Sequence, residues 1–334
     1  MMDFESFVST VKEVLPEQIK EVSELNGYNL SFDETVRVNR VVESIQLVNG
    51  SSTVCPSISF EQLYNNYISS GDIRVTLNDI VNSFSNAIQD GTYKKISEIR
   101  KTEDFISDDK IFLQVINSDS NKGLLEGCPH RDFGDLSIIY RSLVMKKNDG
   151  ILSTIITNDV AKSIGKTEDE LYSLAYENTK ELFPVKLVSM RDMLIESMFP
   201  EGISEDDPMI DFMLPPEDVA PPMYVLTNSD NFFGASSILY TECIEELADR
   251  LDSDLIVLPS SIHEVIIVTK DDDSDLKTMS GMVNEINSGV VDEKDRLSNN
   301  VYLYTKGSLE LKPALDDVPS ISDNTEEISR KHVI

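Results

Sequence analysis

Three times along the 334-residue chain a β-rich, apolar run is followed, after a few turn-forming residues, by a second such run. Residues 34–48 lead through Asn49-Gly50-Ser51-Ser52 to Thr53–Ser59, and Leu136–Met145 lead through Lys146-Lys147-Asn148-Asp149-Gly150 to Ile151–Ile156. Leu255–Leu258 and Val265–Val268 bracket Pro259-Ser260-Ser261. Asn-Gly and Asp-Gly supply the positive φ that tight hairpin turns demand. A connection this short returns the chain antiparallel, because a parallel crossover needs a dozen or more residues. Amphipathic segments separate the three pairs, so the expected class is α+β, with mixed or antiparallel sheets, packed helices and two domains, and not a regular βαβ succession.

The helices are read from apolar spacing. Phe4, Phe7, Val8, Val11, Val14 and Leu15 recur at helical period and predict a helix ending near Pro16. A phase shift at Val41-Val42 predicts a bulge in the first strand run. Residues 60–69 form a short helix, and Thr76 is read as the N-cap of a longer one that stops at Gly91. Thr167-Glu168-Asp169-Glu170 fits a capping box, and a further helix covers 189–199. Thr241 is expected to cap a helix burying Ile244, Leu247, Ala248 and Leu251; Leu276, Met279, Met282, Val283 and Ile286 define another helix. Met223–Thr227 and Val301–Tyr304 read as strands. Residues 200–222 hold six prolines and seven acids around Met209, Phe212 and Met213, the composition of an extended connection. The expected organisation is an N-terminal α+β domain over 1–157, a helical segment with the acidic connection over 158–222, a C-terminal α+β domain over 223–306, and a flexible tail over 307–334.

Charge excludes several partners. The formal net charge is −31, of which residues 1–150 contribute −8. No Lys or Arg stands between Arg191 and Arg250, where fourteen acids do. Binding to phosphate backbones or anionic lipid works through clustered basic side chains, so neither nucleic acid nor a membrane surface is an expected partner. No stretch of about 18 apolar residues suggests a membrane-spanning helix. The acidic, amphipathic start does not read as a secretion signal. Cys55, Cys128 and Cys243 are too few and too scattered for a disulfide framework, which places the chain in a reducing cytoplasm.

Motifs for chemistry are incomplete. Gly165-Lys166-Thr167 lacks the glycine a phosphate loop needs five positions earlier, where Val160 stands. His263-Glu264 lacks a second histidine at position 267, which is Ile267, and Asp271–Asp275 lacks the glycine and glutamate of a calcium loop. With three histidines in all, a histidine-rich metal site is not expected, a carboxylate-rich Mg²⁺ or Ca²⁺ site stays open, and no metal site and no cofactor are assigned. Ser260-Ser261 has no glycine elbow. The weak catalytic candidates are His130 and Arg131, in Cys128-Pro129-His130-Arg131-Asp132, together with His263 and Glu264.

Several stretches together resemble the bacterial family catalogued as domain of unknown function 5688. They are Pro129-His130-Arg131 with Phe133 and Asp135-Leu136; Met223–Asn228; Gly234-Ala235 with Ile238-Leu239-Tyr240; Leu258-Pro259-Ser260-Ser261 with His263-Glu264-Val265; and Leu297-Ser298 with Val301-Tyr302 and Tyr304. At Asn39–Leu47 the chain departs from the family's pattern, which tends to carry a glycine-containing segment there. The resemblance implies a shared fold and a bacterial cytoplasmic setting, linked with mobile-element cargo, and brings no catalytic residues. The expected function is a non-enzymatic acidic module that engages a basic protein partner through Glu205, Asp206, Asp207, Asp211 and Phe212. The alternative is a hydrolase or transferase with its site around His130 and His263.

Overall fold

The computed structural model describes residues 1–50, 55–90, 106–147, 150–204, 207–214, 222–259 and 261–315. It has three sheets, all antiparallel, with helices packed on them, so the α+β expectation holds. The chain forms two compact units, Met1–Ile106 and Ser107–Ile334.

In the first unit, α1 (Phe4–Glu21) precedes a three-stranded sheet of β1 (Asn29–Arg37), β2 (Arg40–Val48) and β3 (Ser57–Ser59), followed by α2 (Phe60–Ser70) and α3 (Ile73–Gln89). Pro16 lies inside α1 and does not end it. The missing N–H removes one helical hydrogen bond, but Leu15 and Ile19 on either side are both buried with Phe7, Val11, Ile45, Phe60, Leu77 and Phe84 in the unit's core. The residues at 34–48 are not one bulged strand. The chain reverses at Val38-Asn39, with Arg37 paired to Arg40 and Asn39 at φ 64°, a left-handed conformation that asparagine tolerates. The Asn-Gly turn expected at 49–52 and the start of the strand beyond it fall partly outside the described residues. α3 begins at Asp72, whose carboxylate accepts from the Arg74 N–H at 2.9 Å, while Thr76 is buried within the helix.

The second unit holds two sheets. In the four-stranded one, β6 (Leu136–Lys147) pairs on one side with β4 (Ile111–Asn117) and on the other with β5 (His130–Phe133) and then β7 (Gly150–Ile155). The six-stranded sheet runs β13 (Leu311–Pro313), β12 (Tyr302–Tyr304), β10 (Leu255–Leu258), β11 (Val265–Thr269), β9 (Met223–Asn228) and β8 (Val185–Ser189). The helices of this unit are α4 (Lys122–Glu126), α5 (Asn158–Ser163), α6 (Glu168–Leu182), α7 (Met190–Met198), α8 (Pro208–Met213), α9 (Thr241–Leu251) and α10 (Leu276–Gly289).

Hydrogen bonds cross position 157. β4 is an edge strand, and its outward amides are capped by hydroxyls: Leu113 N–H donates to Thr179 Oγ1 of α6 at 2.9 Å, and Val115 N–H donates to Ser236 Oγ at 3.1 Å. Bare strand edges invite mispairing, and these side chains close this one.

Three expectations are corrected here. Residues 208–213 of the proline-rich connection form α8, with Pro208 in its first turn and Asp207 capping it. β13 pairs with β12, so chain order extends past residue 307. α9 starts at Thr241, but its N-cap is Tyr240, with no side-chain cap. The apolar spacing over 276–286 does form a helix, α10, which packs Leu276, Met279 and Val283 inward together with Ser280 and Asn287 and leaves Met282 and Ile286 exposed.

Candidate functional site

The sequence candidates fall at three places. The first is β5, which pairs with the opening residues of β6. Arg131 sits opposite Ile138 and His130 opposite Ile139, so alternation along the strand sends the two side chains to opposite faces of the sheet. Arg131 shares its face with Tyr140. There its guanidinium grips Glu168 of α6 with two hydrogen bonds, Nε to Oε1 at 3.1 Å and Nη2 to Oε2 at 2.7 Å, and donates to Asp169 Oδ1 at 2.6 Å. It lies 4.0 Å from the ring centre of Tyr172. The buried Tyr140 hydroxyl donates to the same Glu168 carboxylate.

A capping box positions these groups. Thr167 Oγ1 accepts from the Glu170 N–H while the Glu170 carboxylate accepts from the Thr167 N–H, which fixes the start of α6 and hence Glu168 and Asp169. Burial pushes the Glu168 carboxyl up, but the hydrogen bonds from Arg131 and Tyr140 outweigh it and hold the group below its ordinary range. Burial and the same carboxylate raise Tyr140. Arg131 binds both carboxylates and shares Glu168 with the Tyr140 hydroxyl, which is the chemistry of a fastening between sheet and helix. Beside it lies a cleft of about 400 Å³ lined by Asp108, Lys166, Asp169, Glu170, Ser173 and Leu174, with the Lys166 ammonium paired to Asp108 at 2.9 Å. Gly165 at φ 69° ends the preceding turn and Thr167 caps α6, so Gly165-Lys166-Thr167 is a helix boundary.

On the other face, His130 is exposed and its Nδ1 is 3.0 Å from the Cys128 carbonyl oxygen. Cys128 is buried, and burial pushes its thiol up to about 11, which suppresses the thiolate a nucleophile needs.

The second place is the connection between β10 and β11. His263 Nε2 lies 3.3 Å from Asp295 Oδ1, the ring stacks on Phe233 with centres 6.2 Å apart and planes 10° apart, and the edge of Phe232 closes another side. Nδ1 is buried with no hydrogen-bond partner. The backbone around it is tightly constrained: Thr227 Oγ1 donates to the His263 carbonyl at 2.8 Å. A Cβ on Gly234 would lie 2.2 Å from Thr227 Oγ1 and 2.4 Å from that carbonyl. Phe233 adopts φ 55°, rare for a bulky residue, and links His263 to Phe112 and Arg141 on the four-stranded sheet. Glu264 is half-buried at the start of β11. His130 and His263 neither stack on nor hydrogen-bond each other; their contacts are Cys128 in one case and Asp295, Phe232 and Phe233 in the other.

The third place is the acidic segment. Glu205 and Asp206 lie outside the described residues. Asp207 caps α8, its carboxylate accepting from the Met209 N–H at 2.9 Å, and Asp211 belongs to the same helix. Ile210 is buried, whereas Phe212 is 90% exposed, with Met209 and Met213 more than half exposed.

Sequence reasoning missed Glu168, Tyr140 and Tyr172 as partners of Arg131, and Asp295 and Phe233 as partners of His263. Glu168 was visible in the capping-box pattern; Asp295 joins His263 from 32 positions away, with no local signal. Among the described residues no group of three or more His, Cys, Asp or Glu is placed to hold a metal ion, and no helix is long and apolar enough to cross a membrane.

A family model described as "Family of unknown function (DUF5688)" matches residues 4–306. No curated protein and no solved structure matches the chain.

Proposed function

The chain belongs to the DUF5688 family, a membership that carries no assigned chemistry, and from it we propose that this protein is a non-enzymatic binding module of the bacterial cytoplasm that docks a basic, amphipathic segment of a protein partner. The observation that carries the reading is Phe212, 90% exposed on a helix held in place by buried Ile210 and capped by Asp207. A phenylalanine in water is unfavourable, and it sits in the interval between Arg191 and Arg250 that holds fourteen acids and no base. Met193, Leu194, Met209, Met213 and Met223 of the same interval are exposed as well. Methionine's flexible, polarisable side chain suits surfaces that accept helices of varied shape, and surrounding carboxylates select for lysine and arginine on the incoming segment.

The probe is a fluorescent amphipathic peptide of lysine and leucine, titrated into the full chain. Binding in the micromolar range that weakens with salt is expected. Phe212→Ala, and separately Glu205, Asp206 and Asp211 changed to Lys, should each weaken it about tenfold. Asp207 is left intact because it caps α8. Undiminished binding by both variants, or none by the unaltered chain, overturns the reading.

The second reading is a hydrolase or transferase around His130 and His263, favoured by the Asp295–His263 pair. In it Asp295 orients the imidazole and Nδ1 is the base, an atom that stays shielded unless Phe233 moves.

A further inference from the structure

We propose that β13 exchanges between two copies of this chain, each laying its own residues 311–315 along the β12 edge of the other, in the place they occupy here. The segment is seated by contacts specific to it. Pro313 pairs with Tyr302, Lys312 with Leu303 and Leu311 with Tyr304; beyond them Ala314 N–H donates to the Val301 carbonyl at 2.8 Å and Asn300 Nδ2 to the Leu315 carbonyl at 3.0 Å. Leu311 is buried, and Ala314 and Leu315 pack on Ile256, Val268 and Val301. Pro313 rests where Gly134 has no side chain: a Cβ there would lie 2.5 Å from Pro313 Cγ. These contacts name the occupant, because the same residues arriving from a second copy remake every one of them.

The second observation is the reversal that joins the two strands. Residues 305–310 turn the chain back, and two of them are left-handed, Gly307 at φ 80° and Leu309 at φ 52°. Glycine takes that conformation freely and leucine does not. Leu309 is 56% exposed, so burial of its side chain does little to offset the strain. Strained short hinges favour exchange, since opening the turn into an extended strand releases what the closed form stores. Opening gives up the turn's own bonds, among them Ser308 N–H to the Thr305 carbonyl at 2.9 Å and Leu309 N–H to the Tyr304 hydroxyl. The family match ends at residue 306, so β12 is the last strand of the matched part and the reversal and β13 are appended to it.

Register suits a two-fold pair. Continued through an opened turn, the β12–β13 register sets Thr305 opposite the partner subunit's Glu310, Lys306 opposite the partner subunit's Leu309 and Gly307 opposite the partner subunit's Ser308. The two hinges then pair antiparallel about the axis, and their ladder replaces the hydrogen bonds of the turn. The chain up to the hinge is held independently. Lys306 Nζ pairs with Asp252 at 2.8 Å and Asp249 at 3.3 Å, and Gly307 N–H donates to Glu245 at 3.0 Å. Both groups precede the φ of Gly307, so opening leaves these bonds in place. What opposes the exchange is the charge of −31 on each copy, with Glu245, Asp249 and Asp252 beside the hinge, and salt screens it.

Size-exclusion chromatography with light scattering on the full chain, incubated from micromolar to millimolar concentration, tests the proposal. The expected dimer forms at high concentration and separates slowly on dilution, because β13 must leave β12 before the copies part. Two substitutions should move it in opposite directions. Leu309→Gly takes strain out of the closed turn and should lower the association constant about tenfold or more, since each dimer opens two turns. Gly307→Val puts strain in, at a position where a Cβ meets nothing within 4 Å, and should raise the constant by about as much. Raising the salt should favour the dimer while it loosens the peptide binding proposed above, so the two readings fail separately. A monomer at every concentration and salt, or a dimer that the two substitutions shift in the same direction or not at all, overturns the proposal.

Discussion

Arg131 shows how a single side chain gains or loses a functional reading once its partners are known. In the sequence it stands beside His130 and three residues after Cys128, in a run of reactive types; in the fold it is spent on Glu168, Asp169 and Tyr172. Glu168→Gln removes the charge that both Arg131 and Tyr140 bind. Because the pair is partly open to solvent, with about a third of each side chain exposed, the expected cost is about 1–2 kcal/mol, measured by urea denaturation at neutral pH. The pH dependence has a definite sign. The Glu168 carboxyl is held below its ordinary range in the folded chain, so its stabilisation is complete above the unfolded value and is lost as pH falls through the folded one. The gap between the unaltered chain and Glu168→Gln should therefore close as the solution is acidified below the ordinary glutamate range.

Whole elements were legible where local chemistry decides them. The capping box of α6 and the pairing of β6 with β7 follow from contacts within a few residues, and the structure has both. Short strands were legible where they are uniformly apolar, as in β10 and β12. β5, β8 and β13 mix polar and apolar residues over three to five positions, too few for period-two alternation to register, and they exist because a neighbouring strand offers hydrogen bonds. In α10 the apolar spacing gives the helix but not its rotation: Leu276, Met279 and Val283 pack inward while Met282 and Ile286 stay exposed, and Asn299 with the Ser298 and Asn299 carbonyls draws Ser280 and Asn287 inward. Asn287→Ala should leave the Ser298 carbonyl without its donor and cost about 1–3 kcal/mol, readable as a fall in the denaturation midpoint with unchanged slope. A change below about 0.5 kcal/mol would mean that the polar face does not set the helix's rotation.

For the molecule as a whole, the excess of 60 acids over 29 bases is a standing self-repulsion that compaction makes worse. Thermal stability should rise as sodium chloride goes from about 0.05 M to about 0.5 M, because screening relieves that repulsion more than it weakens the scattered surface pairs. A fall in melting temperature over that range would show that specific ion pairs dominate. The amino-acid order alone determined the α+β class, the antiparallel sense of the hairpins and the acidic field, since each rests on neighbours in the chain or on simple summation. The tertiary structure decided which histidine meets which carboxylate, that His130 and Arg131 leave opposite faces of β5, and which side of α10 faces water. Those are outcomes of contacts between residues far apart in the chain, and burial rewards a hydrogen bond or an apolar contact only where a distant partner arrives to complete it.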